Sequence, residues 1–305
     1  MKKLALVLAV LCMTAMVFAA GAKEKADDGK MDVVATSTMI HDLVKVIGGD
    51  RINTVGLVGV GVDPHLYQAT AGDVTKMNDA DVVVYNGLHF EGRMGEIFAS
   101  LTEQGKNIIC IEDSIPVELI QKDPEGAPDP HIWWNMTIWT GATKHIAAEL
   151  AKFDPANADY YLANADAYLV ELELLDAYII NRVAEIPETQ RILITAHDAF
   201  EYFASSYGFT VKGVQGISTE TEAATSDVRE LANFIVENNI KAMFVETSVS
   251  SKTIEAVQSA VKAQGSEVVI GGTLYSDSLG DESTNTETFI KTYKSNVDTI
   301  ANALK

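Results

Sequence analysis

The chain has 305 residues, 47% of them apolar and 8% aromatic, and at roughly 100–200 residues per domain this length suggests two compact lobes. A formal net charge of -20 at pH 7 argues against a nucleic-acid-binding protein, because phosphate contacts need clustered Lys and Arg. The sequence has no short-period repeat, which excludes solenoid architectures.

The N-terminal residues have the pattern of a secretory signal. Two lysines precede an apolar run at 4–20, which ends in small residues. This pattern predicts a signal peptide over residues 1–22 that is removed on export, so we expect a periplasmic or otherwise extracytoplasmic protein. Cys12 lies inside the apolar run after a bulky leucine, where lipid attachment is not expected. Residues 23–30 are small and charged and predict a flexible tether.

Strands and helices are predicted to alternate in the next segment. Residues 32–35 form an apolar run typical of a buried strand, and residues 39–47 have the spacing of an amphipathic helix. The alternation continues with strands at 52–57, 82–85 and 108–111 and helices at 69–77 and 94–101. Because parallel strands need helical crossovers, this order predicts an α/β lobe with a parallel sheet over residues 31–153.

A long uninterrupted helix is predicted over 157–183, and at 1.5 Å per residue it is about 40 Å long. With its flanks it forms a rigid connecting segment over 154–187. Its predicted apolar stripe consists of Tyr161, Leu162, Ala165, Leu169, Leu172, Leu175, Tyr178 and Ile179. The alternation then resumes and predicts a second α/β lobe over 188–305. Its strands are expected at 191–195, 211–214, 242–245 and 268–270, and its helices at 199–207, 224–238, 253–263 and 287–303.

Three of the six histidines stand in contexts that suit a metal ligand. His65 and His131 each follow an Asp-Pro pair, and because proline restricts its own φ and the preceding residue, each imidazole is presented by a stiffened turn. His197 follows the predicted strand 191–195, and ligands bind at the carboxyl ends of strands in open α/β sheets. The remaining histidines, for which a structural role is predicted, are His41, His89 and His145. Of these, His89 also follows a strand and is the strongest alternative ligand.

Five segments extend this pattern along the chain. They are GVDPHLY at 61–67, DPHIW at 129–133, TAHDAF at 195–200, GISTE at 216–220 and YSDSLG at 275–280. In this order, and with the long helix in the middle, the chain resembles the TroA-like zinc- and manganese-binding solute-binding proteins of ABC importers. The resemblance runs from about residue 33 to the C-terminus, which makes it more specific than any single motif.

The resemblance implies two (β/α) lobes joined by a rigid helix, with one Zn²⁺ or Mn²⁺ at the lobe interface. It implies four ligands, namely His65 and His131 from the first lobe and His197 and Asp277 from the second. Neutral imidazoles and one carboxylate suit first-row divalent ions. The implied role is that of a monomeric receptor, not an enzyme, that delivers the ion to an ABC permease and its ATPase subunit.

The sequence departs from the family pattern at loops outside this ligand set. Asn135 stands where an acid and a proline are common, although its side chain can still cap a following helix. Residues 223–224 are alanines where a proline is expected, and residues 121–128 contain no histidine, so a zinc-scavenging loop is absent. The run 271–280 around Asp277 is rich in Gly and Ser, which predicts the most flexible of the four ligand settings.

Two other functions are compatible with a secreted metal site. A zinc metallohydrolase would need a general base, for which Glu220, Glu222 and Glu246 are the candidates by strand-end position. Solvated or ligand-orienting roles are the simpler interpretation of these three acids, and the chain has no His-Glu-x-x-His helix. A metal-binding adhesin differs from a transport receptor only in its partners, which the sequence leaves open.

Overall fold

The computed structural model describes residues 28–305. The predicted signal peptide, Cys12 and most of the predicted tether lie outside these residues. Within the described range, no helix is both long enough and apolar enough to cross a membrane.

The first lobe is built on a four-stranded parallel sheet with helices in the crossovers. Its strands are β1 (Met31–Ala35), β2 (Ile52–Gly56), β3 (Val82–Tyr85) and β4 (Asn107–Cys110), and its helices are α1 (Thr38–Gly48), α2 (Ala71–Asp79) and α3 (Gly95–Glu103). The strand order is β2–β1–β3–β4, and the central strands β1 and β3 are rich in buried valine. Valine suits such strands because its branched side chain packs well on a pleated surface. The predicted alternation of strands and helices is therefore confirmed.

Two helices follow the sheet of the first lobe. Helix α4 (Met136–Phe153) begins after Asn135, whose side-chain oxygen accepts from the amides of Thr137 and Ile138 at 2.9 and 3.1 Å, so the predicted cap is present. Helix α5 (Ala158–Val183) has 26 residues and is the long connecting helix that the sequence predicts.

The apolar stripe of α5 differs in part from the prediction. Its buried residues are Tyr161, Ala165, Tyr168, Leu172, Leu175, Ile179 and Val183. They are separated by steps of three or four residues, which keeps them on one face of a helix. Leu162 lies about 100° around the helix from Tyr161 and is 44% exposed, so its assignment to the stripe was wrong.

Helix α5 is bound at both ends to other parts of the fold. Near its start, the Asn164 amide donates to the carbonyl of Ile47 in α1 at 2.9 Å. Near its end, the Tyr178 hydroxyl and the Arg182 guanidinium both donate to Asp298 at 2.7 Å. Since Asp298 belongs to the C-terminal helix, α5 connects the two lobes through side-chain hydrogen bonds as well as through packing.

The second lobe contains two parallel strand pairs, β5–β6 and β7–β8, and β5 lies beside β7. Its strands are β5 (Ile192–His197), β6 (Thr210–Gln215), β7 (Ala242–Glu246) and β8 (Val269–Leu274), and its helices are α6 (Glu201–Tyr207), α7 (Thr225–Glu237), α8 (Lys252–Ala263) and α9 (Phe289–Leu304). The carboxyl ends of β5 and β7 thus lie together, at the edge where ligands of such sheets bind.

Aromatic side chains join the lobes on one side of their interface. The Trp134 ring stacks on Phe200 with centroids 5.0 Å apart and meets Tyr293 edge-on at 4.7 Å. Trp139 of α4 stacks on Phe289 of α9 at 4.9 Å. Ring pairs of this kind add to the free energy gained by burying their apolar area. This side of the interface is therefore an extension of the hydrophobic core.

Candidate metal centre

His65 lies on a turn that follows β2 in the first lobe. The Asp63 carboxylate accepts from the backbone amides of His65 and Leu66 at 2.9 and 3.4 Å through Oδ1. Such side-chain-to-backbone hydrogen bonds close a turn of the Asx type. Pro64, which lies between Asp63 and His65, stiffens this turn because its ring restricts the backbone. The His65 ring is buried and meets Phe90 edge-on, with centroids 5.2 Å apart.

His131 uses the same Asp-Pro-His turn in a different way. Asp129 Oδ1 accepts from the His131 backbone amide at 3.0 Å and also lies 2.6 Å from Nδ1 of the His131 ring. The carboxylate therefore fixes both the turn and the imidazole, and leaves Nε2 as the nitrogen that can bind a cation. A short 3₁₀ helix, Ile132–Trp134, follows directly.

His197 is the last residue of β5, as the sequence predicts for a ligand at a strand end. Glu246, the last residue of the neighbouring strand β7, accepts from the amides of Ala196 and His197 at 2.7 and 3.0 Å through Oε1. Its other oxygen, Oε2, lies 2.6 Å from Nδ1 of the His197 ring. Glu246 is thus a residue that orients His197, which is one of the two roles that the sequence left open for it.

Asp277 follows β8 and lies in a buried segment. The Ser248 hydroxyl donates to Asp277 Oδ2 at 3.3 Å, and the Trp133 indole of the first lobe donates to the Ser276 carbonyl at 3.2 Å. Ser276, Asp277 and Ser278 are all buried. The Gly- and Ser-rich segment is therefore buried around Asp277, and its greater flexibility stays a prediction.

The structure brings all four predicted ligands together. One potential donor atom from each of His65, His131, His197 and Asp277 lies within 4.8 Å of the other three, and each side chain is at most 2% exposed. The three histidine Nε2 atoms and Asp277 Oδ1 are buried and have no hydrogen-bond partner. Buried polar atoms without partners are costly, so four of them converging on one point fit a site that a cation fills.

The electrostatics of the three imidazoles differ before a cation binds. Burial, helped by the charges of His131 and His197, lowers the pKa of His65 to about 3 although Asp277 opposes this. Burial would also lower the pKa of His131, but the charge and hydrogen bond of Asp129, together with Asp277, raise it to about 9. For His197, Asp277 and Glu246 outweigh burial and raise the pKa well above its ordinary value.

Asp277 is the counter-charge of these two histidines. Burial would raise the pKa of Asp277, but His197 and His131 hold it well below its ordinary value. Its Oδ2 lies 3.1 Å from His197 Nε2, and its Oδ1 lies 3.4 Å from His131 Nε2. Protons on these two rings therefore occupy the places that a metal ion would take.

The remaining candidates lie elsewhere. The ring of His41 pairs with the Thr54 hydroxyl at 3.0 Å, and His145 lies partly buried on α4. His89 is exposed on a turn with a φ of 62°. Glu220 and Glu222 are exposed outside the cluster. The orienting roles of Asp63 and Asp129 were missed by sequence reasoning, although the repeated Asp-Pro-His motif was the signal for them.

Two parallel-sheet lobes joined by one long helix, with a buried cluster of metal-binding side-chain types between them, define a solute-binding protein of the kind that serves metal importers. Residues 33–303 match the sequence model of the periplasmic component A of the zinc-uptake complex (ZnuA), and the chain belongs to this family.

Individual relatives agree with this assignment. The chain is 42% identical over 300 residues to the zinc-binding protein TroA of Treponema pallidum, covering 98% of this chain and 97% of TroA. It is 43% identical to the manganese-binding lipoprotein MntA of Bacillus subtilis, with 92% of each chain covered. It is 30% identical to PsaA of Streptococcus mitis, named as the substrate-binding lipoprotein of a manganese ABC transporter, over 100% of this chain and 99% of PsaA.

The fold agrees as well. The solved structure of TroA from Treponema pallidum superposes with a TM-score of 0.88 at 42% identity, covering 90% of this chain and 99% of that one. The resemblance drawn from the five sequence segments and the predicted two-lobe fold are confirmed.

Proposed function

We propose that this protein captures one divalent transition metal ion, Zn²⁺ or Mn²⁺, outside the cytoplasm and delivers it to an ABC permease with its ATPase subunit. His65, His131, His197 and Asp277 are the proposed ligands. The observation that supports this best is that these four buried side chains each offer a potential ligand atom within 4.8 Å of the other three, and that each of them has a buried polar atom without a hydrogen-bond partner. In this proposal the chain is exported by residues 1–22 and acts as a monomer.

The proposed lobes span 31–153 and 188–305, and the segment 154–187 connects them. This division gives two ligands to each lobe, so that binding one ion holds the lobes together. Because the ligand set exists only in the folded protein, metal binding also stabilises the fold by mass action.

The donor chemistry supports a cation of borderline softness. Asp129 and Glu246 each lie 2.6 Å from Nδ1 of a histidine ring, which orients the opposite nitrogen, Nε2, toward the centre. Carboxylates in this position fix the tautomer and raise the basicity of a metal-binding imidazole. Three histidine nitrogens with one carboxylate oxygen suit Zn²⁺ and, with a further oxygen, Mn²⁺.

A capture role also agrees better with the site than catalysis does. Four protein donors complete a tetrahedral coordination shell, whereas catalytic zinc sites keep one position for water or substrate. Glu246, the candidate general base that lies next to the cluster, already accepts two backbone amides and faces the His197 ring. We therefore propose a receptor and not a metallohydrolase.

The decisive experiment is a metal titration of the purified, metal-stripped protein. We expect one equivalent of Zn²⁺ or Mn²⁺ per chain by calorimetry, confirmed by elemental analysis, and a melting temperature that rises with metal concentration. Zn²⁺ should bind more tightly than Mn²⁺, because affinities of nitrogen and oxygen sites follow that order. Absence of saturable binding of either ion near neutral pH would contradict the proposal.

A further inference from the structure

A second set of contacts between the lobes is polar. Two segments meet there, the turn at 61–66 that carries His65 and the segment at 216–221 that follows β6 in the second lobe. Thr219 is 5% exposed, and its hydroxyl donates to Asp63 Oδ2 at 2.6 Å. Beside this contact, Arg93 Nε of the first lobe lies 3.5 Å from Glu220 Oε1.

The two carboxylate oxygens of Asp63 therefore accept hydrogen bonds from different parts of the fold. Its Oδ1 accepts from the His65 and Leu66 amides and forms the turn that presents the imidazole, whereas its Oδ2 accepts from Thr219 across the cleft. The position of a first-lobe ligand is thus tied directly to the position of a second-lobe hydroxyl. Hydrogen bonds to an ionised carboxylate are shorter and stronger than neutral ones, and 2.6 Å is typical of them.

The corresponding carboxylate of the second Asp-Pro-His turn is used differently. Asp129 lies on the ring of its own histidine, and Glu246 does the same for His197. In the part of the chain that the structure describes, no carboxylate pairs in this way with the ring of His65. The orientation of His65 consequently depends on its turn, on Phe90 and on the contact of that turn with the second lobe.

The geometry points to Thr219 as a positioning residue for the ligand His65. This inference rests on the proposed function and deepens it, because it assigns the residue that retains the bound ion. The Asp63–Thr219 hydrogen bond, here called the latch, joins groups from different lobes and forms only when the lobes are closed. It holds the His65 turn against the ion after capture, so that it slows release and leaves the rate of capture unchanged.

The test is the rate of metal dissociation from full-length mature protein, measured by stopped flow with excess chelator after loading with Zn²⁺. Thr219→Val keeps the size of the side chain and removes the donor, and we expect dissociation about tenfold faster, since a hydrogen bond to a charged group has a net value of this order. The association rate should stay within about twofold. Thr219→Ser retains the hydroxyl and should restore slow dissociation, whereas Thr221→Val, at an exposed position two residues away, should behave as wild type.

A second measurement separates positioning from general stability. In the loaded Thr219→Val protein, the amides of His65 and Leu66 should exchange hydrogen faster than in wild type, while the melting temperature of the metal-free variant stays close to wild type. Equal dissociation rates for Thr219→Val and wild type, or a Thr219→Ser variant as fast as Thr219→Val, would overturn the latch. Failure of the wild-type protein to bind Zn²⁺ at all would instead refute the proposed function.

Discussion

His65 and His197 offer the same type of nitrogen to the cluster but are supported in opposite ways. His197 is part of β5, and Glu246 at the end of β7 accepts from its backbone amide and lies 2.6 Å from Nδ1 of its ring. His65 lies on a turn, and the carboxylate of that turn reaches the other lobe instead of the imidazole. The comparison contrasts one proposed ligand whose supporting carboxylate comes from the neighbouring strand with another whose supporting carboxylate also binds the second lobe.

This difference suggests that the two histidines affect different properties of metal binding. The carboxylates nearest the His197 ring, Glu246 and Asp277, both come from the second lobe. The His65 setting requires both lobes. We therefore expect changes on the His197 side to alter the affinity of the site itself, and changes on the His65 side to alter mainly how long the ion stays.

The largest effect is expected from removing a ligand. Replacing His197 by Ala should lower metal affinity by more than about a hundredfold, because changing even an outer-sphere partner of a metal ligand costs about 10–100-fold. His145→Ala, on α4 away from the cluster, is the matched control and should leave affinity unchanged. Calorimetric titration measures both, and similar losses for the two variants would invalidate the selection of His197 as a ligand.

Proton release separates His65 from the other two histidines. The pKa of His131 is raised to about 9 and that of His197 well above its ordinary value, so both rings carry a proton at neutral pH that the metal must displace. His65, with a pKa lowered to about 3, carries none. Affinity should therefore increase with pH from 6 to about 9, by about tenfold per pH unit for each displaced proton.

If all three histidines had the ordinary pKa near 6.5, metal affinity would no longer depend on pH above about pH 7. Calorimetry in buffers of different ionisation enthalpy counts the released protons directly, and we expect about two at pH 7.5. Affinity that does not change between pH 7 and 8.5 would show that the neighbouring carboxylates do not keep His131 and His197 protonated in the metal-free protein.

The carboxylate behind His197 should have an intermediate effect. Glu246→Gln keeps the shape of the side chain but removes the charge that faces Nδ1, and we expect affinity to fall about tenfold. Glu237→Gln, an exposed residue at the end of α7, serves as the control for a lost negative charge. If both variants bind metal as tightly as wild type, Glu246 does not contribute to metal affinity through His197, and the contrast drawn between His197 and His65 is wrong.

The smallest effect is expected at the Arg93–Glu220 pair beside the latch. Both side chains are about half exposed, and exposed ion pairs contribute only about 0–1 kcal/mol. Arg93→Gln should change the metal dissociation rate by less than about threefold and should lose even this effect in high salt. If Arg93→Gln increased the dissociation rate as much as Thr219→Val, the ion pair would contribute as much as the latch to retaining the metal.

Much of the fold was predictable because its signals are local. Alternating apolar runs predicted the strands, and uninterrupted 3–4 spacing predicted α5, since burial on one face imposes that period. The error at Leu162 arose because a leucine next to the stripe is as apolar as one inside it, and only tertiary packing decides which of them is covered.

The site was predictable in part. His65, His131 and His197 stand in turn and strand-end contexts that are visible in the sequence, whereas Asp277 was found only through family resemblance, because an aspartate in a Gly- and Ser-rich run has no local signal. Its burial follows from contacts with Trp133 and Ser248, which are far from it in sequence. The contact of Thr219 with Asp63 could not be predicted for the same reason, since the two residues are 156 positions apart.

Helix α5 acts as a strut that is pinned to α1 near one end and to α9 near the other. Because hydrogen bonds fix this helix near both ends, we expect metal binding to move the segments around the site by small amounts and to change the overall shape of the protein little. A membrane partner that recognises the loaded protein would then have to respond to these local segments.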